Sequence, residues 1–263
     1  RDRSSDFINS MLAHYDQSAH RMLPIWSHHA NENWCMIGYH AVSVIADAEV
    51  KGIAGFDRKR ALNACVGTAL VPYFDGVGNY IEKGYVPEDL SGSSVSKTLE
   101  YAYDDRCIAR LAERVGNGDL AREFLDRSDS YQRVFDNNSG FMRPRNADGS
   151  FLKDFDPLDT HQKGFIEGNA WNYSLYVPHE PVELAKRMGG PKRFGEHLDS
   201  LFTMELPDRY FEHTEDITRD GIMGNYVHGN EPSHHVPYLY NYTDRPWMTD
   251  YRVRQVMDAM YKP

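Results

Sequence analysis

Residues 95–115 read VSKTLEYAYDDRCIARLAERV, and this stretch decides the fold class. Leu99, Ala102, Ile108, Leu111 and Val115 fall on one stripe at helical spacing. The same period continues outward on both sides. Residues 5–23 carry it through Phe7, Ile8, Met11, Leu12, Tyr15 and Met22, and residues 34–50 through Trp34, Ile37, Ala41, Val44, Ile45 and Ala48. Residues 58–71 and 119–136 repeat it with Leu62, Cys65, Val66 and Ala69, then Leu120, Phe124, Tyr131 and Val134. Shorter helices are predicted at 181–188, 191–203, 232–243 and 247–260. Alternation with a period of two is scarce, so the chain is predicted to be mainly α.

The links between these helices are long. Residues 72–94, 139–180 and 204–231 are rich in Gly, Pro, Asp, Asn and aromatics. Structureless connections of this length are uncommon and often functional. A compact bundle would use short turns, whereas helices joined by long loops suit an α-toroid whose loops build a pit at one end. No domain boundary, low-complexity linker or fixed-period repeat is evident.

Composition narrows the function classes. The chain has 263 residues, enough for one large domain or two small ones. The formal charge is −10 and no Lys/Arg-rich run occurs, which argues against a nucleic-acid partner. No apolar stretch reaches the roughly 20 residues that span a bilayer. The polar start at Arg1 lacks a signal-peptide core, which says little about the parent protein. Aromatics make up 13% of residues, which suits a Tyr-rich core or a carbohydrate site equally, because rings match the apolar C–H faces of sugars. Cys35, Cys65 and Cys107 lie in apolar helical patterns without a CxxC pair, so buried free thiols are expected.

Four segments concentrate residues that could do chemistry. In GFIEGNAWNY (164–173), Glu167 sits between apolar residues and a Gly-Asn turn, with Trp171 just beyond. Apolar neighbours raise a carboxyl pKa, as a general acid requires, although a turn Glu beside core aromatics is the plainer account. In YVHGNEPSHH (226–235), Pro232 after Asn230 and Glu231 reads as a helix start. His234 and His235 would lie about 100° apart on a helix, and no HExxH pair occurs, so zinc is disfavoured and oxygen ligands from Asn230 and Glu231 would suit calcium better. In SVSKTLEYAYDD (94–105), Ser94 or Ser96 could cap the helix. Tyr101 and Asp105 share a face there, and Asp104 points away; a paired Asp could hold sugar hydroxyls, or one could be solvated and the other partnered inside. In HHANENWCMIGYH (28–40), Asn33 reads as an N-cap, Trp34 as a sugar platform or core anchor, and His40 as packing against a neighbouring helix. The acidic stretch Glu212-His213-Thr214-Glu215-Asp216 reads as a solvated loop.

Taken together, GNEPSHHVPYLYNY (229–242), EGNAWNYSLYVPH (167–179), SVSKTLEYAYDD (94–105) and NWCMIGYHAVSVIADA (33–48) resemble the calcium-dependent α-mannosidases of glycoside hydrolase family 92. The resemblance covers nearly the whole chain. It implies an (α/α)6 catalytic toroid, incomplete here, with roughly nine helices in place of the twelve of a closed ring, and normally a β-sandwich domain before it. It implies release of terminal α-linked mannose, α-1,2-linked above all, with inversion, from N-glycans or mannan by a periplasmic or secreted enzyme. Glu167 matches the family's general acid. Asn230 and Glu231 fall in its calcium and substrate region. Trp34, Asp105, Trp171, His213, Glu215 and His234 are the implied substrate contacts. Arg106 departs from the Trp expected after the Asp pair. The base carboxylate is expected in an Asp-bearing, Gly-rich motif beyond the helix that ends near Tyr261, so the chain reads as an internal piece of the catalytic domain. Two other readings fit the residues: a carbohydrate-binding protein without catalysis, and another glycosidase or lyase on an α-toroid.

Overall fold

The long helix around residues 95–115 forms as the periodicity predicts. In the computed structural model, which describes residues 3–29, 31–160, 163–210 and 221–261, it runs from Ser94 to Val115. The chain divides into two compact units, Arg1–Arg133 and Val134–Pro263.

The first unit holds α1 (Ser4–Gln17), α2 (Ala41–Val50), α3 (Arg58–Ala69), α4 (Val77–Lys83), α5 (Ser94–Val115) and α6 (Gly118–Ser128), with a short antiparallel pair, β1 (Ser27–His28) and β2 (Asn31–Glu32). Helix α5 packs against α2, α3 and α6. Its apolar face, with Tyr101, Ile108, Leu111 and Ala112, joins one core with Ile8, Val42, Ile45, Leu62, Cys65 and Phe124. Local chemistry sets the helix ends. The Asp57 side chain accepts from the amides of Lys59 and Arg60 and so caps α3. Gly116 ends α5 in the left-handed region at φ 84°, and Asn117 caps α6 through the Leu120 amide at 3.2 Å.

The first half of helix α5 buries polar side chains as well. Lys97 pairs with Asp75 at 2.6 Å. Glu100 and Asp104, four residues apart on one face, both reach His40: Nε2 meets the Glu100 carboxylate at 2.8 Å and Nδ1 meets Asp104 at 2.9 Å. Asp104 also accepts from the Tyr39 amide. Neither aspartate is solvated, contrary to one expectation above. Asp105 is 0% exposed and accepts from the Tyr39 hydroxyl at 2.7 Å, the Tyr80 hydroxyl at 2.9 Å and both arms of Arg127. Burial pushes its carboxyl up to about 6, and Arg127 and the tyrosines oppose that rise.

Other expectations fail here as well. The helix predicted over 34–50 begins only at Ala41. The cause is Glu32, whose buried carboxylate accepts from the amides of Ile25, Trp26, Asn33 and Trp34. That nest of amides folds the preceding chain into a turn with Trp34 at φ 59°, and Asn33 accepts from the Cys35 amide without capping a helix. Cys35 is consequently exposed, while Cys65 is buried and Cys107 half-buried; all three are free. Ser93, at φ 54°, occupies the N-cap of α5, and the Ser94 amide donates to Glu88.

The second unit holds α7 (Ala170–Tyr173), α8 (Pro181–Arg187), α9 (Pro191–Thr203) and α10 (Met248–Met260), with two short antiparallel pairs, β3 (Phe135–Asp136) with β4 (Phe141–Met142) and β5 (Ile222–Met223) with β6 (Tyr226–Val227). Pro181 and Pro191 open their helices, where a missing amide costs nothing. The helix predicted over 232–243 is two 3-10 turns, Glu231–Ser233 and Val236–Tyr242, each with a proline near its start. Phe194, Leu198, Leu201 and Phe202 of α9 are buried, and Phe202 packs on Tyr226 with ring centres 4.7 Å apart. Asp199 accepts from the Tyr240 hydroxyl and pairs with Arg245 and Arg252. Helices α4 and α7 lie inside stretches read as loop, because each is too short to show a period. Among the described residues no helix is long and apolar enough to cross a membrane.

Candidate active site

The residues around Glu167 are positioned by a knot of asparagines. Asn169 caps α7, accepting from the amides of Trp171 and Asn172, and Asn172 returns the bond to the Asn169 amide at 3.1 Å. Asn225, just before β6, pairs with the Asn169 side chain at 3.2 Å and accepts from Asn172 Nδ2 through its carbonyl at 2.6 Å. All three asparagines are buried. The knot leaves Glu167 on the turn before α7, at φ 55°, a region that L residues rarely adopt. A side chain at Gly164, φ 103°, would meet Pro144, so the turn into this segment needs glycine there.

Glu167 is exposed, so the apolar neighbours in its sequence do not bury it. Its left-handed backbone carries it out of line with Phe165, which is buried. Its carbonyl accepts from Asn230 Nδ2 at 2.7 Å. That bond joins the EGNAW turn to the GNEP turn and fixes which end of the Asn230 amide is nitrogen. The other end, Oδ1, is buried and has no hydrogen-bond partner. Glu231, next in the chain, is exposed. Among the described residues no three His, Cys, Asp or Glu side chains gather as metal ligands. An orphaned amide oxygen, with an exposed carboxylate on the next residue, offers the oxygen-donor chemistry that a hard cation such as calcium takes.

Trp171 stacks on His197, with ring centres 4.3 Å apart and planes 12° apart, and Phe141 meets it edge-on at 5.1 Å. Burial pulls His197 down to about 4, so this partner is a neutral ring. His234 is exposed, and its Nε2 donates to the His228 carbonyl. His228 and His234 both line a cleft of about 410 Å³ with Tyr226, Tyr238 and Tyr261. His235 turns away and bonds the Leu175 carbonyl.

The structure thus brings Glu167 and Asn230 together, with Glu231, Trp171 and His234 in the same unit. Trp34 and Asp105 belong to the first unit. Trp34 is 42% exposed and clusters with His20, Tyr73 and Phe74. Asp105 is not available to a sugar, because both its oxygens are sealed inside by Tyr39, Tyr80 and Arg127. His213 and Glu215 lie outside the described residues. Sequence reasoning passed over Asn225 and the linking role of Asn169 and Asn172. The density of Asn around Glu167 was the available signal.

Residues 1–263 match the model of the glycosyl hydrolase family 92 catalytic domain. The chain belongs to this family. A family 92 alpha-mannosidase from Bacteroides thetaiotaomicron is 46% identical over 97% of the chain with a TM-score of 0.89, and the chain covers 33% of that protein. A family 92 inverting mannosidase of the same organism is 33% identical over 99% of the chain, with a TM-score of 0.86 and 36% of its length covered. An uncharacterized secreted glycosidase of Arthroderma benhamiae is 27% identical over 85% of the chain and 31% of its own length. The chain therefore spans about a third of the length of each of these relatives. Its fold class, mainly α and of the incomplete (α/α)6 toroid type, is that of the mannosidase structures it matches.

Proposed function

We propose that this chain is part of an exo-acting α-mannosidase that releases terminal α-linked mannose, α-1,2-linked in the first instance, from N-glycans or mannan with inversion. The observation that carries the reading is the bond from Asn230 to the Glu167 carbonyl, which ties the turn that bears Glu167 to a turn with an unpartnered amide oxygen. One family member has been solved with mannoimidazole, and that protein is 45% identical to this chain. The secreted relative supports a periplasmic or secreted location.

In this reading Glu167 protonates the leaving oxygen. A sugar seated over it would displace water from the carboxyl, the condition under which a carboxylic acid keeps its proton near neutral pH. Its backbone cannot drift, because the Asn169–Asn172–Asn225 knot and Asn230 hold the turn on both sides. Asn230 and Glu231 would hold calcium. When bound, calcium supplies polarisation of sugar hydroxyls as the ring flattens toward its oxocarbenium-like transition state. An inverting reaction needs a second carboxylate, spaced to admit a water, and we place it outside this chain. Trp34, Trp171, His213 and Glu215 remain candidate sugar contacts, whereas the His234 Nε2 expected to meet the sugar is taken by the His228 carbonyl.

The test is to give the intact protein an α-1,2-linked mannobioside and follow the anomeric protons by NMR, with calcium and then with chelator. Early β-mannose that disappears on chelation and returns with calcium is the expected result. Binding without turnover would favour a carbohydrate-binding role. Turnover of other glycosides but of no mannoside would point to a different glycosidase.

A further inference from the structure

The loop that carries Asn230 and Glu231 is closed on itself, and two histidines close it. His234 Nε2 donates to the His228 carbonyl at 2.9 Å, and the two imidazoles stack with centres 5.1 Å apart. The His228 ring is gripped at both nitrogens, Nδ1 by the Tyr226 hydroxyl and Nε2 by the Tyr261 hydroxyl, each at 2.8 Å. Tyr226 is a buried residue of β6, and Tyr261 follows α10. Within the loop the Ser233 amide donates to the Asn230 carbonyl and the His234 amide to the Glu231 carbonyl. Both ends of the loop are thus tied to the unit's framework, and Asn230 Nδ2 is committed to Glu167.

We propose that His228 and His234 are positioning residues, a staple that holds residues 228–234 closed so that Asn230 Oδ1 and the Glu231 carboxylate stand in place before a cation arrives. The inference rests on the reading of Asn230 and Glu231 as calcium ligands. Three observations favour it over direct sugar binding by these histidines. His234 Nε2 is spent on a backbone carbonyl. Both His228 nitrogens are occupied by tyrosine hydroxyls. The stacked rings cover one face of each other. A site whose donors are already ordered loses less conformational freedom on binding, so the staple acts on cation affinity and not on the chemical step.

The experiment compares the intact wild-type protein with His234→Ala, His234→Gln and His228→Phe. Calcium affinity is read by titration calorimetry, and amide hydrogen exchange of residues 229–231 is read in calcium-free protein. Removal of an outer partner of a metal site costs about 10–100-fold in affinity. His234→Ala is expected to weaken calcium binding by about tenfold or more and to speed exchange in the loop. His234→Gln, whose amide can still donate to the His228 carbonyl, is expected to recover most of both. His228→Phe keeps the stack but loses both tyrosine bonds, and is expected to fall between. At saturating calcium, kcat and KM of His234→Gln should stay near wild type. Unchanged exchange together with unchanged affinity in His234→Ala would overturn the staple. So would a raised KM for mannoside with calcium affinity intact, which would make His234 a sugar contact. A wild type that binds no calcium would sink the metal reading, while the exchange comparison, made without calcium, separately decides whether the histidines hold the loop.

Discussion

Glu167 stands in a backbone region that costs a non-glycine residue about 1–3 kcal/mol, and such strain persists only where the surroundings over-determine it. Here they do so from both sides, through the asparagine knot and through Asn230. Glu167→Gln keeps the size of the side chain and the backbone, so the turn should hold. Loss of the proton donor should cut turnover by about 100-fold to 10,000-fold for substrates with poor leaving groups, and far less for aryl mannosides with good ones. Steady-state kinetics on both substrate types checks this, and equal losses would rule out the acid role. Asp105 gives the opposite lesson at the same scale. The sequence placed it on the Tyr101 face of a helix, which was right, but spacing cannot tell a carboxylate aimed at a ligand from one sealed under two tyrosines and an arginine. Asp105→Ala would leave the half-buried Arg127 guanidinium without its counter-ion and take one acceptor from each of two hydroxyls, at a cost of about 3–5 kcal/mol. The expected result is a large fall in the unfolding midpoint, or insoluble protein, with no selective change in KM.

Among the elements, α5 and α2 are locked by an imidazole between two carboxylates. Burial pushes the His40 pKa down, but Asp104 and then Glu100 push it up further, and the balance lies well above the usual imidazole value. A folded pKa above the unfolded one means the clamp contributes fully below about pH 6.5 and is lost as pH rises through the folded value. Thermal midpoints of the wild type and His40→Gln, measured from about pH 6 to about pH 9, should therefore differ most at the acid end and converge toward the alkaline end. A gap that widened with pH would show that His40 is neutral in the fold. Helix α7 depends on its cap in the same local way. Asn169→Ala should cost at least the ~1 kcal/mol of a lost cap, and more because Asn225 loses its partner. The long helices were legible because a repeating apolar stripe survives any loop context. The start of α2 was not, because one carboxylate, Glu32, gathers four amides into a turn that no period records. The same limit hid the asparagine knot, whose bonds join residues more than fifty positions apart.

For the whole molecule, the calcium reading makes a prediction independent of any substrate. A ligand that binds the folded state alone adds stability that grows with the logarithm of its free concentration, about 2.7 kcal/mol at a hundred times Kd. The donors placed on the GNEP turn connect through Asn230 to the Glu167 turn, so an occupied site would brace both at once. The thermal midpoint of the intact protein should rise steadily with free calcium, fall on chelation, and recover when calcium returns. Magnesium should do less, because it demands a tighter octahedron and gives up water reluctantly, whereas the amide oxygen and carboxylate proposed as donors would suit a larger ion with irregular coordination. Asn230→Asp separates the ion from its protein support. The added charge favours a cation, but the substitution removes the Nδ2 that holds the Glu167 carbonyl. If the metal reading is right, this variant should keep a calcium-dependent midpoint yet turn over poor substrates slowly. A midpoint insensitive to calcium in the wild type would remove the metal from the proposed mechanism and leave Glu167 to be tested alone.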